Sequence, residues 1–352
     1  MANFRYAAYR AGLETLYFSG AHHALRPVFG GVGAIFTLHH VRPPRNGAFQ
    51  PNRMLEIEPD FLDRVILHLL RNGVDLVSMD EVHRRLTERD FSRHFVAFTL
   101  DDGYRDNLEH AWPILKRQQV PCTLYIATSF PDRLGELWWV ALERVIAKTN
   151  RLVLEVDGVS RFINCVDSAS KSKAFAEIYW WLRGLEDEGE LRSIMRDLCA
   201  RYGVDVKEPC RDLCMNWSEI ATMAEDALVT IGAHSVNHII LRKWPADVAR
   251  AEMKRSAEVI EASLGRRLEH FAYPYGDPTS AGPREFALAA ELGFKTAVTT
   301  RPGVLFPQHR EHLTALPRIS LNGQFQALRY VDVLMSGVPL ALVNGFRRVD
   351  AA

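Results

Sequence analysis

The sequence predicts an α/β chain built on a mainly parallel sheet, open or closed into a barrel, with an α+β subdomain inserted in its middle. Three observations carry that reading. Short apolar runs alternate with helix-periodic stretches over residues 34–134 and again over 215–323, the rhythm of strands covered by crossover helices. Over residues 135–214 that rhythm stops. The pairs Asp101-Asp102 and His234/His238 both follow strand-like runs, which places them where the carboxyl ends of parallel strands share one rim.

Residues 1–33 read as a helical extension, because Phe4, Tyr9, Leu13, Leu16 and Tyr17 fall near one face. That face suits packing on the chain's own domain or, with Arg5, Arg10 and Arg26 at its rim, a peripheral membrane contact. After the break GGVG at 30–33, residues 34–41 predict a strand. Residues 61–73 predict a helix that places Phe61, Val65 and Leu69 together and stops at Gly73. A strand at 75–79, a helix around 80–86 and a strand at 95–100 follow. The helix at 108–119 must start or kink at Pro113, and a strand at 121–128 closes this half. The insertion holds two helical patterns and two strand-like runs around Asp157-Gly158, a hairpin signal. The alternation resumes with a strand at 227–235, a helix at 247–265, a strand at 270–276, the helix REFALAAELG, and strands at 296–300 and 315–321. That makes about eight core strands, compatible with a distorted barrel, before a C-terminal extension at 324–352.

Composition narrows the function. With 47% hydrophobic and 24% charged residues the 352-residue chain is ordinarily globular. Lys plus Arg equal Asp plus Glu at 43 each, so no global field favours nucleic acid. No window reaches the roughly 18 continuous apolar residues of a membrane span, and the N-terminus lacks the pattern of an export signal. Five cysteines, an odd number, then predict free thiols in a reducing, cytoplasmic compartment. Cys210 and Cys214 are four apart, but no second pair follows at zinc-finger spacing.

FTLDDGYRDN (98–107) drives an apolar run into two adjacent carboxylates, which repel each other and lose hydration if enclosed. HSVNH places His234 and His238 at i and i+4, so on a helical turn both imidazoles face one point. One carboxylate and two imidazoles around a divalent cation would relieve the repulsion and leave positions open for water and substrate. The third feature is HFAYPYG (270–276), whose Gly276 permits close backbone approach. Each piece alone is weak; their concurrence at strand ends is not.

In this order and separation, the DDG, HSVNH and FAYPYG motifs resemble the polysaccharide deacetylase family. This is the group of family-four carbohydrate esterases that includes the chitooligosaccharide deacetylase nodulation protein B. The resemblance covers about residues 35–140 and 215–322. It implies a distorted (β/α) barrel that removes acetyl groups from N-acetylhexosamines of an oligo- or polysaccharide with a divalent metal ion: zinc, or else cobalt, manganese or nickel. By the same resemblance Asp102, His234 and His238 hold the metal, Asp101 is the general base, and the backbone N–H of Tyr275 stabilises the oxyanion.

Two departures from the family pattern stand out. The late leucine-rich motif, here ALPRISLNG, has no histidine. TLHHV (37–41) resembles the early strand motif of members whose N-terminal histidine is the acid, which points to His39, with His40 as the adjacent candidate. Where many members have an arginine in the third motif this chain has Ala272, and Arg318 is either its replacement or part of a salt bridge elsewhere. Trp138, Trp139, Trp180 and Trp181 are core or a sugar-stacking surface. Competing readings are an amide hydrolase of the same fold acting on a formylated or lipid-linked amino sugar, and a non-catalytic carbohydrate-binding relic. Retention of both aspartates and both histidines argues against the relic.

Overall fold

Twelve strands are present in the computed structural model, which describes residues 2–156 and 159–351. In chain order they are β1 (Gly33–Leu38), β2 (His40–Val41), β3 (Glu56–Ile57), β4 (Asp75–Leu76), β5 (Phe95–Leu100), β6 (Cys122–Ile126), β7 (Arg151–Val156), β8 (Val159–Asn164), β9 (Val229–Ala233), β10 (His270–Ala272), β11 (Thr296–Pro302) and β12 (Leu316–Ser320). Seven of them, in the order β1-β12-β11-β10-β9-β6-β5, form a parallel sheet that closes by pairing β5 with β1, and β4 adds to the edge of β5. The barrel reading of the alternation is therefore the correct one. Alternation within each strand explains why closure is stable. Phe36 of β1 and Val96, Phe98 and Leu100 of β5 face the surrounding helices, while Ile35 and Ala97 fill the interior. Both faces are buried, so these strands read as continuous apolar runs.

The segment read as one strand at 34–41 is split. The Leu38 carbonyl accepts from the Asp101 N–H at 2.9 Å, and the His39 carbonyl accepts from Asn107 Nδ2 at 2.7 Å. The first bond is the last rung of the β1–β5 ladder; with the His39 carbonyl taken by a side chain, the chain leaves β1 at His39, and β2 pairs only with β3. Pro113 sits in the first turn of the helix Trp112–Arg117, where its missing N–H is harmless, after a π-helical turn at Asn107–Ala111.

Between β6 and β9 a second apolar cluster forms around Trp138, Leu142, Phe175, Leu182, Met195 and Leu198. The pair β7–β8 is an antiparallel ladder; the turn Asp157-Gly158 expected between them lies outside the described residues. Helices α1 (Ala2–Phe18) and α2 (Ala21–Phe29) precede the barrel. Leu13 is buried, Leu16 and Tyr17 are half-buried against the main core, and Glu14 binds Arg329 and Tyr330 of the helix Leu328–Met335. Of the face read for α1, Phe4 lies outside the described side chains, as does Arg5. Among the described residues no helix is long and apolar enough to cross a membrane.

After β11 the chain folds back, bridging Gly33 through Leu305, and makes a short 3-10 turn at Pro307–Glu311 that buries His309. Its Nδ1 accepts from the Phe306 N–H at 2.9 Å, and burial pushes its pKa down to about 4. Below an ordinary histidine pKa near 6.5 the unfolded chain takes up a proton that the folded chain refuses. Stability therefore falls as pH drops from about 6.5 to about 4, by roughly 3 kcal/mol in all. Urea unfolding at pH 7 and pH 5 should show His309→Asn losing about 2 kcal/mol less than the parent over that interval. Equal losses would show that His309 is not the group.

Candidate active site

Asp101 is the first residue beyond β5, and it is buried. Arg318 on β12 grips its carboxylate with two bonds, Nη1 to Oδ1 at 2.7 Å and Nη2 to Oδ2 at 2.6 Å, and Thr37 Oγ1 donates at 3.3 Å. The guanidinium is itself fixed by Nε donating to the Thr299 carbonyl at 2.8 Å and Nη1 to Thr99 Oγ1 at 3.0 Å. Burial alone would raise the Asp101 pKa. Arg318 outweighs it and holds the carboxyl below its ordinary value. With Ala272 in the third motif, Arg318 is thus the arginine that reaches Asp101.

Asp102 turns away from Asp101 just past the end of β5. Strand alternation does not separate the two aspartates, because the strand has already ended. Asp102 adopts φ 71° and Gly103 φ 67°, a left-handed turn that swings the second carboxylate toward the loop after β9. There Asp102 Oδ1 lies 3.5 Å from His234 Nε2 and 3.2 Å from His238 Nε2. The histidines are not on a helical turn either. They stand on an irregular loop with φ 61° at Ser235 and 51° at His238. Glu252 holds that loop by accepting from the N–H groups of Val236 and Asn237, both at 2.9 Å. Arg192 holds it from the other side through the carbonyls of Asn237 and His238 at 3.0 and 3.3 Å. The i, i+4 spacing brings the imidazoles together through these loop contacts.

Among the described residues, Asp102, His234 and His238 are the one group placed to share a metal ion, their ligand atoms lying within 4.8 Å of one another. The local chemistry fits. Asp102 Oδ1 is buried with no hydrogen bond aligned on it, an expense a cation would remove. His234 Nδ1 donates to the Ala272 carbonyl at 2.7 Å, which leaves Nε2 free as a ligand. Burial lowers the pKa of His238 against the opposing pull of Asp102, favouring the neutral, ligating ring. One carboxylate and two imidazoles suit a divalent ion such as zinc.

His39 sits half-buried in the break after β1. Burial pushes its pKa down, and the charges of Asp102 and Asp101 oppose the shift. His40 turns away. Its Nδ1 bonds Asp106 Oδ2 at 2.6 Å and its ring stacks on Tyr104 at 3.6 Å.

Tyr275 closes the rim with φ 61°, and among the described residues its backbone N–H has no hydrogen-bond acceptor. The next residue must be glycine: at Gly276 (φ 67°) a Cβ would stand 2.6 Å from the Thr300 nitrogen. The Tyr275 ring lies 4.8 Å from His238, and its hydroxyl accepts from Trp138 Nε1 at 2.7 Å. Trp139 packs 5.2 Å from His238. Two of the four tryptophans therefore wall the site, while Trp181 is half-buried in the insertion and Trp180 is exposed. Sequence reasoning passed over Tyr104 and Asp106, although both stand in FTLDDGYRDN beside the residues it chose. It also passed over Glu252 and Arg192, for which the sequence carries no local signal.

A closed parallel barrel bearing these groups at one rim is the framework of a hydrolase. Residues 198–297, which include His234, His238 and Tyr275, match the family model described as polysaccharide deacetylase. No curated protein matches the chain. Among solved structures, the Streptococcus pyogenes deacetylase PplD in complex with acetate is similar with TM-score 0.55 and 18% identity, covering 86% of this chain and 96% of that one. The de-N-acetylase from Aggregatibacter actinomycetemcomitans has TM-score 0.53 and 13% identity over 86% and 99%. IcaB from Ammonifex degensii has 0.51 and 15% over 87% and 96%. At these identities the likeness is one of fold. Together with the matched segment and the DDG motif outside it, that fold makes the chain similar to the polysaccharide deacetylases.

Arg318→Ala should cost about 3–5 kcal/mol in urea unfolding, since it strands a buried carboxylate. Adding Asp101→Asn to that variant should recover most of the loss. A cost below about 1 kcal/mol would show that the pair is not what keeps Asp101 buried.

Proposed function

We propose that the chain removes N-acetyl groups from N-acetylglucosamine-type residues of a chitooligosaccharide or polysaccharide, with a divalent metal ion, zinc first, held by Asp102, His234 and His238. The observation that carries this reading is the unpartnered Asp102 Oδ1 between two imidazoles, next to a second carboxylate kept ionised by Arg318. When bound, the metal would supply Lewis acidity toward the acetamide carbonyl and the attacking water. Asp101 accepts the proton of that water, and the bidentate Arg318 keeps the acceptor oxygens aimed. The backbone N–H of Tyr275 donates to the oxyanion that forms as the C–O bond is made. His39 gives a proton to the nitrogen as the C–N bond breaks, releasing acetate and a free amine. The Trp139 and Tyr275 rings offer an aromatic wall for a sugar face. The five buried thiols suit a reducing, cytoplasmic setting.

Chelation should abolish acetate release from defined chitooligosaccharides, and added zinc should restore it. Metal content measured after gel filtration should fall in Asp102→Ala and His238→Ala but persist in Asp101→Asn. That last variant should nevertheless lose on the order of 10²–10⁴-fold in turnover. Undiminished turnover in Asp101→Asn would remove it from the role of base.

The acid is tested by leaving-group chemistry. An amine needs a proton to depart, whereas an activated aryl alcohol does not. His39→Ala should therefore damage deacetylation of the amide far more than hydrolysis of an aryl acetate. Equal damage to both substrates would take the role away from His39.

A further inference from the structure

We propose that α2 and the helix Val338–Val343, with the residues just after it, form a docking surface for an anionic lipid bilayer. The two helices lie side by side. The Phe29 and Phe346 rings are 6.1 Å apart, and a Cβ on Gly337 would collide with the Phe29 carbonyl at 1.9 Å. Their outer faces carry large apolar side chains in the open: Leu25 and Val28 are 39% and 51% exposed, Leu342, Val343 and Phe346 are 58%, 60% and 63%. Scattered exposed apolar residues are ordinary, but a contiguous set on adjoining elements marks an interaction site.

Charge selects the partner. In a chain balanced at 43 residues of each sign, the stretches 18–30 and 337–349 contain Arg26, Arg347 and Arg348 and no aspartate or glutamate. None of the three arginines has a carboxylate partner among the described residues; Arg348 lies over the Phe306 ring instead, at 5.4 Å. The flanking acids are occupied elsewhere, Glu14 by Arg329 and Asp350 by Arg301. An apolar centre with unpaired cations at its edge is the composition of an interfacial membrane contact, in which aliphatic side chains enter the acyl boundary and arginines meet anionic headgroups. A second copy using the same face by two-fold symmetry would set arginines against arginines. An apolar centre offers nucleic acid nothing.

Position fits as well. Tyr9 of α1 packs on Phe325 at 5.4 Å and Arg10 Nη2 donates to the Gln324 carbonyl at 3.1 Å, just past the carboxyl end of β12. α2 ends just ahead of the amino end of β1. The extension therefore runs down the flank of the barrel, from the catalytic rim to the far end. The docking face, at α2 and Val338–Val343, lies at that far end, away from the rim. The proposal stands independently of the deacetylase reading.

Co-sedimentation tests it, using vesicles of phosphatidylcholine with and without about one third phosphatidylglycerol. The chain should pellet with the anionic vesicles, less so as salt rises, and remain in solution with phosphatidylcholine alone. The variant Arg26→Glu/Arg347→Glu/Arg348→Glu should bind on the order of a hundredfold more weakly. Leu342→Ser/Phe346→Ser should also lose binding. Both variants should keep the parent's rate on a soluble substrate, since neither touches the rim. Failure to pellet with anionic vesicles overturns the proposal, as does undiminished binding by the charge-reversed variant. A dimer that dissociates on Leu342→Ser/Phe346→Ser without vesicle binding would assign the face to a second copy.

Discussion

The ion pair between Arg318 and Asp101 is the interaction on which the rest of the rim depends. It is buried on both sides, with the two side chains 0% and 2% exposed. A lone carboxylate in that position would be driven to its neutral form. Pairing it with a fork-shaped cation that also binds Thr99 and the Thr299 carbonyl ties β5 to β11 and β12 at their carboxyl ends. Chemistry and architecture therefore share one requirement. The contact that keeps a carboxylate charged inside the protein also fastens the strands around it.

From that fixed point the second carboxylate can be spared for a different task. Asp102 has no arginine; it has two imidazoles and an oxygen with nothing aligned on it. Two adjacent aspartates thus acquire opposite surroundings within one peptide unit, one satisfied by a guanidinium and one waiting for a cation. The left-handed turn at Asp102-Gly103 carries the second carboxylate toward the loop after β9, where the imidazoles stand.

Much of this was legible in the sequence, and the limits have physical causes. The apolar runs announced the strands because a closed barrel buries both faces. The DDG and HSVNH motifs announced the metal-type cluster because each contributes its ligands within a short stretch at a strand end, although the two stretches lie far apart along the chain. Closure of the sheet was legible only through family resemblance, since it rests on the long-range pairing of β1 with β5, which leaves no local mark. The split at His39 was hidden for the same reason: Asn107, 68 positions away, takes the carbonyl that would have continued the strand. The helical reading of His234 and His238 failed because Glu252 and Arg192 impose a loop that the intervening residues do not specify.

One small contact has a larger meaning for how the insertion is held. Tyr104 bridges Cys214 through the backbone, the Met215 N–H donates to the Gly103 carbonyl, and Arg105 clasps the carbonyls of Asp212 and Cys214. The exit of the insertion is thereby sewn to the turn that carries Asp102. An insertion fastened in this way is a wall and not a swinging cover. Its helix Trp138–Lys148 brings Trp139 against His238 and Tyr275, so the seam holds that wall and the Asp102 turn together. The chain is in effect built in two parts, a barrel held together at its rim by electrostatics and an insertion seated firmly against it.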